Sequence, residues 1–296
     1  MTSRLKAVVL AAAIVWTGSA AAGERIAGLY DMLPERIRNA GAIMAASDPQ
    51  QPPYDFYDED NKTLIGVEQE LLAEVASRIG IPIKVSAAPF PSIIPGIQSG
   101  RFDLGASAFG DFVEREKIVD IIDVNYEAAG LVVVAGNPLG IKKLSDMCGH
   151  RGAAHQGSTP LKLFELQAQK CPSSKPLEIM EFPTSDQAQL AVKSGRADAY
   201  IANVGVSAYS TAKQPKGGIQ LELITSGRYA VGYQGWIVNK NSPGLRDAVI
   251  KALQSMVDDG SYAAVFKKWN LSQNVLQKVT YNDAARFGAD YFKIED

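Results

Sequence analysis

The sequence predicts an α/β fold built as two similar lobes, and three observations carry the prediction. Helical and strand periodicities alternate along the chain, which points to mainly parallel sheets flanked by helices. A five-residue pattern recurs: Ser99-Gly100-Arg101-Phe102-Asp103 returns as Ser194-Gly195-Arg196-Ala197-Asp198, each copy after a helix and before a short apolar strand. At 296 residues the chain also exceeds one comfortable core, so two domains of about 100–200 residues are expected.

At the amino terminus, Arg4 and Lys6 precede an apolar run from Ala7 to Trp16 and the small residues Ala20-Ala21-Ala22. This is the pattern of a secretory signal cleaved after Ala22. The run is half of the ~20 residues a bilayer span needs, and no later stretch is long and apolar enough to cross one. Removing residues 1–22 takes two positive charges from a formal net charge of −2, leaving −4. The chain is 21% charged and 46% hydrophobic, an ordinary globular balance. With no basic run, a nucleic-acid backbone is not an expected partner.

From Leu64 the apolar positions Val67, Leu71, Leu72, Val75, Ala76 and Ile79 keep one helical face, and Gly80 stops the helix. Residues 81–85 alternate as a strand. A second helix spans Pro91 to Ser99, stopped by Gly100, and Phe102 to Ser107 reads as a buried strand. The stretch after Gly152-Ala153-Ala154 runs Gln156-Gly157-Ser158-Thr159-Pro160, and Ser158 or Thr159 can cap a helix beginning near Pro160. A capped helix start offers free N–H groups to a carboxylate, although every helix needs a cap. Ser242-Pro243 opens a further helix through Met256, and Tyr262, Val265, Phe266 and Trp269 form another amphipathic stretch. Residues after Leu271 are more polar and read as a loosely attached tail.

Cys148 and Cys171 are the only cysteines, 23 positions apart. In an oxidising compartment they are expected to form one disulfide, and they make no metal-ligand spacing. His150 and His155 both fall between them and read as loop residues. Neither has a nucleophile motif beside it, so triad hydrolysis is not indicated. Ligands of open α/β sheets bind beyond the carboxyl ends of strands. The segments after the repeated strands, Ser107-Ala108-Phe109-Gly110 and Ala202-Asn203-Val204-Gly205, are therefore candidates to face one cleft.

Tyr54-Asp55-Phe56, Gly66-Val67-Glu68-Gln69-Glu70-Leu71 and Ile94 through Asp103 together resemble the bacterial extracellular solute-binding proteins, family 3, which serve amino-acid ABC transporters. Glu114-Arg115, Tyr126, Gly157-Ser158-Thr159, Gly195 through Asp198 and Asp259-Gly260-Ser261-Tyr262 continue the match across roughly 36–271. The resemblance implies a periplasmic-binding-protein fold that closes on a small ligand by hinge motion. Lobe 1 would comprise 36–131 and 232–271, lobe 2 would comprise 132–231, and 272–296 would be the tail. It implies that Arg115 grips the ligand carboxylate with a two-pronged guanidinium. Ser107, Ala108 and Gly110 would help from the same lobe, and Ser158 and Thr159 from the other. Phe90 would form an aromatic wall, and Asp48 a polar contact at the ligand's far end.

Two departures stand out. The acid that usually pairs with the ligand ammonium is replaced by Asn203, which accepts a hydrogen bond but carries no charge. A frequent aromatic is replaced by Gln51, with Tyr54 as a possible ring nearby. These favour a substituted amine, a lactam, an opine-like conjugate or another carboxylate over a simple zwitterionic amino acid, with Glu68, Asp48 or Asp111 as substitute anions. The expected function is capture of a small carboxylate-bearing ligand by a periplasmic, monomeric binding protein that delivers it to a membrane permease, without cofactor or catalysis. The alternatives are a periplasmic dehydratase of the cyclohexadienyl type, for which no positioned acid is evident, and a ligand-sensing module.

Overall fold

The computed structural model describes residues 24–292; the predicted signal lies outside the described residues. Two short helices, α1 (Leu29–Met32) and α2 (Glu35–Ala40), lead into β1 (Ile43–Ser47). A small antiparallel sheet follows, of β2 (Gln50–Gln51), β3 (Asp55–Tyr57) and β4 (Leu64–Ile65). Helix α3 (Val67–Ile79), β5 (Ile83–Ala87), α4 (Phe90–Gln98), β6 (Leu104–Gly110) and α5 (Val113–Glu116) complete the first pass through lobe 1. The long β7 (Asp120–Val134) then crosses to lobe 2, made of β8 (Arg151–His155), α6 (Thr159–Lys170), β9 (Glu178–Phe182), α7 (Ser185–Lys193), β10 (Ala199–Asn203), α8 (Val204–Ala212) and β11 (Leu221–Leu223). Strand β12 (Tyr229–Val238) crosses back, and α9 (Pro243–Asp259) and α10 (Ser261–Lys268) return to lobe 1.

The strands form one continuous path, β5-β1-β6-β12-β7-β10-β8-β9, with β11 beside β7. Pairing is parallel within each lobe's own set, β5-β1-β6 and β10-β8-β9. In this sheet, antiparallel pairing enters only with the crossover strands β7 and β12. Helix α3 buries Val67, Leu71, Leu72, Val75 and Ile79 against the core, and each such side chain contributes about 1.5–3 kcal/mol. Gly80 ends it at φ 82, a conformation open to glycine.

The repeated pentapeptide is one device used twice. Gly100 and Gly195 take φ 75 and 71 at the helix ends. Asp103 then accepts the Met44 N–H at 2.8 Å, and Asp198 accepts the Arg151 N–H at 2.8 Å. Each aspartate thus pins the start of the neighbouring parallel strand, and each also meets an arginine, Arg36 or Arg151.

Cys148 and Cys171 are joined, tying the segment before β8 to the end of α6. The segment after Leu271 is not loosely attached. Leu276, Val279, Ala284 and Tyr291 are buried, Thr280 donates to Asp123 and accepts its backbone N–H, and Asn282 accepts from the Ile121 N–H. Its apolar residues are spaced too irregularly to show a helical or strand period, which is why composition alone misread it. Among the described residues no helix is long and apolar enough to cross a membrane.

Candidate functional site

The carboxyl ends of β1, β6, β8 and β10 meet where the lobes face each other, as expected for parallel α/β sheets. The cavity there is lined by Gln51, Phe90 and Ala108 from lobe 1 and by Ser158, Thr159 and Asn203 from lobe 2. Its water-accessible volume is about 20 Å³, room for a water-sized body. Lobe contacts close it on three sides. Asn203 Nδ2 donates to Gln51 Oε1 at 3.2 Å, the Thr159 side chain covers Gly110, and Gly157 lies against Phe90 and Pro91.

Each lobe-1 wall is held from behind. Phe90 stacks on Phe109 with centroids 4.5 Å apart, and its N–H donates to Asp48 Oδ2 at 2.9 Å. The Ser107 hydroxyl accepts the Asp48 N–H at 3.1 Å. Ala108 takes φ 47, sparsely populated for a non-glycine residue, and its N–H donates to Glu68 Oε1 at 3.0 Å. Glu68 also accepts from the Trp236 indole. Burial raises the Glu68 carboxyl to about 8, with repulsion from Asp55 adding to it. Burial likewise raises Asp48 to about 6.

In lobe 2 the Ser158 hydroxyl accepts the Leu161 N–H at 3.2 Å and caps α6, so the expected helix start is real. Asn203 ends β10, and α8 begins at the next residue.

Five expected residues, Asp48, Tyr54, Ser107, Gly110 and Arg115, lie behind or beside the cavity and not on its wall. Tyr54 is withdrawn into the hinge, where its hydroxyl donates to Glu127 at 2.6 Å; Glu127 also accepts the Gly205 N–H, joining the lobes through β7. Arg115 is buried beside the site, not on its wall. Its guanidinium donates to the Gly110 carbonyl at 2.8 Å and sits 4.4 Å from the Phe112 ring. Burial lowers it to about 10, offset by the neighbouring Tyr291 and Asp111. Tyr291 comes from the C-terminal segment, whose hold on this corner no local pattern announces. Asp111 pairs with Asp123 away from the cavity and accepts the Asp283 N–H; burial holds both carboxyls high, with repulsion from Asp123 adding at Asp111 and repulsion from Asp283 and Glu116 adding at Asp123.

The structure adds wall residues that sequence reasoning missed. His155 is not a loop residue: it ends β8, is 3% exposed and lines the cavity. Its place directly after an apolar strand and before Gln156-Gly157-Ser158 was the available signal. Ser185, Tyr200 and Gln234 also line the cavity. Gln234 lies mid-strand in β12, where no turn or motif marks it.

The bacterial extracellular solute-binding proteins, family 3, match this chain over residues 43–272. The arginine-binding protein ArgT of Corynebacterium glutamicum is 28% identical over 256 residues, covering 85% of this chain and 82% of that protein. A solved ancestral arginine-binding protein bound to glutamine superposes with a TM-score of 0.70 at 26% identity, covering 78% of this chain and 98% of that one. An ancestral amino acid-binding protein described as a precursor of cyclohexadienyl dehydratase shares the fold, with a TM-score of 0.69 at 24% identity and coverage of 79% and 97%. With the match spanning both lobes and the cleft, the chain belongs to the bacterial extracellular solute-binding proteins, family 3.

Proposed function

We propose that the protein captures a small amino-acid-like carboxylate in the periplasm and delivers it to an ABC importer, with lobe closure as the capture step. The observation that carries this reading is a cavity walled from both lobes by strand-end loops and by the N-terminus of α6. The names of the relatives, which bind arginine or glutamine, support the ligand class.

In this reading lobe 1 (36–131 and 232–271) and lobe 2 (132–231) part and close about β7 and β12. The ligand carboxylate meets the free N–H groups at the start of α6, with Ser158 and Thr159, where the helix dipole favours an anion. Ser107, Ala108 and Gly110 back it from lobe 1. Arg115 reaches it by exchanging its bond to the Gly110 carbonyl for the ligand. Asn203 and Gln51 face the amine end with neutral oxygens, Phe90 packs on the side chain, and Asp48 stands behind the far end. Export through the signal ending at Ala22, a monomeric state and docking of the closed form on a permease complete the proposal.

The test is calorimetric titration of the mature protein with a panel of amino acids and amine-free carboxylates. Saturable one-to-one binding of at least one supports the proposal. Silence across the panel together with turnover of a prephenate-like cyclic carboxylate overturns it.

A further inference from the structure

We propose that the C-terminal segment from Thr280 to Phe292 is an autoinhibitory strap, its end seated over Arg115, which must leave before the cleft can grip a ligand carboxylate; the inference rests on the binding reading above. Strap and ligand then compete for one arginine.

The family match ends at residue 272, so the whole strap lies beyond it. Its first half is tied to lobe 1 through the backbone. The Asp123 N–H donates to the Thr280 carbonyl and the Asn282 N–H to the Ile121 carbonyl, both at 2.9 Å. The Asp283 and Ala284 N–H groups donate to the Asp111 and Glu116 carboxyls at 3.0 and 2.9 Å. The second half is held differently. Gly288 turns the chain at φ 63, and beyond it Tyr291 and Phe292 are seated by ring packing. Phe112 lies 6.3 Å from the Tyr291 ring and 5.3 Å from Phe292, and the Arg115 guanidinium sits 4.4 Å from the same Phe112 ring.

Two glycines shape the seat of Tyr291. Its ring lies against Gly232 of the crossover strand β12, in the space a Cβ would fill, and its hydroxyl lies 3.0 Å from where a Cβ on Gly110 would stand. Gly110 is also the residue whose carbonyl holds Arg115 and which Thr159 of lobe 2 covers. Tyr291 belongs besides to the apolar cluster of lobe 2, with Ala129, Leu131 and Tyr229. The strap is thus fixed to lobe 1 at one end and rests on the crossover and lobe 2 at the other. Arg115 and Tyr291 are each 6% exposed. An arginine enclosed in this way exchanges the Gly110 carbonyl for a ligand only once the rings over it move. A chain end held by a few ring contacts opens at lower cost than one tied into a backbone ladder. A ligand that binds only the released form is weakened in proportion to the fraction of molecules released.

The experiment titrates arginine and glutamine calorimetrically into the mature protein, into a chain ending at Arg286, and into Gly232→Ala in both, with thermal melts reporting folding. Ending at Arg286 keeps the backbone ties to lobe 1. Gly232→Ala puts a methyl group where the Tyr291 ring lies, so it unseats the strap without deleting it. The shortened chain is expected to bind at least about tenfold more tightly, as for a strap seated in about nine molecules of ten. Gly232→Ala is expected to tighten binding in the full chain and to change nothing in the shortened one. Binding by the shortened chain alone supports the proposal. If the melts show the shortened chain unfolded, Gly232→Ala and Tyr291→Ala in the full chain decide by the same shift. Affinity unchanged or weakened by loss of the strap, or an equal effect of Gly232→Ala in both chains, overturns the proposal and leaves the binding reading standing. If no chain binds arginine, glutamine or any other amino acid, the binding reading itself fails, and this inference falls with it.

Discussion

Asp103 and Asp198 close the same turn in the two lobes, yet the strands they introduce end differently. After Asp103, β6 runs into Ala108 in a left-handed conformation, with its N–H held by buried Glu68. After Asp198, β10 ends at Asn203 and α8 starts at once. The lobe-1 loop is fixed from within by a carboxylate that also anchors Trp236. The lobe-2 loop is completed by the opposite lobe, through the Asn203–Gln51 bond. The scaffold half of the repeated unit is shared and the cleft-facing half is not. One loop is held from within its own lobe, and the other takes its last contact from the opposite lobe.

The lobes also differ in how they are held, and the largest expected effect tests that. Only lobe 2 contains the disulfide. Replacing Cys148 and Cys171 with serine should cost about 3 kcal/mol in denaturant unfolding under the chain-entropy view of its loop. A cost near zero would mean that packing alone holds lobe 2.

Next, Asp103 is buried more deeply than Asp198, while the arginine partners Arg36 and Arg151 are both exposed. Asp103→Ala should cost about 2 kcal/mol and Asp198→Ala about 1 kcal/mol, because the more deeply buried carboxylate is screened less by solvent. Equal costs would remove the distinction between the two copies.

Acid–base behaviour should follow lobe 1. The folded Glu68 carboxyl is raised to about 8, so the native state holds its proton more tightly than the unfolded chain. Its contribution is complete below the ordinary glutamate range and is lost as pH rises through about 8. The raised Asp111 and Asp123 act in the same direction. The unfolding midpoint should therefore fall as pH rises from about 5 to about 9, and Glu68→Gln should flatten the slope. A midpoint rising over that range would contradict the buried-acid account.

The smallest effect concerns the lobe-2 loop. Asn203→Asp restores a charge facing the amine end and should tighten binding of simple amino acids by roughly five- to tenfold in calorimetry, the range for one added charge-assisted bond. Weaker binding would show that the neutral amide, with its bond to Gln51, is what this cleft requires.

Much of this was legible from local pattern. The 3.6-residue spacing from Val67 to Ile79 marked α3, with Gly80 at its end, and the repeated Ser-Gly-Arg-x-Asp units marked two equivalent lobes. Ser158 announced a helix start because a cap acts within one turn. Arg115 and Tyr54 show the limit. The family resemblance implies ligand contact at Arg115 and offers Tyr54 as a ring at a more structural position, and here one is enclosed by Phe112 and Tyr291 while the other is bound to Glu127.

By itself the sequence determined the family, the α/β class, the duplicated unit and the cysteine pair, because each depends on neighbours in the chain or on composition. Only the tertiary structure decided that His155 and Gln234 line the cleft, that the C-terminal segment packs over Arg115, and that Asn203 meets Gln51 from 152 positions away. Such contacts are set by how two separately folded lobes and a crossing segment pack together, and no local periodicity records which side chains that packing brings face to face.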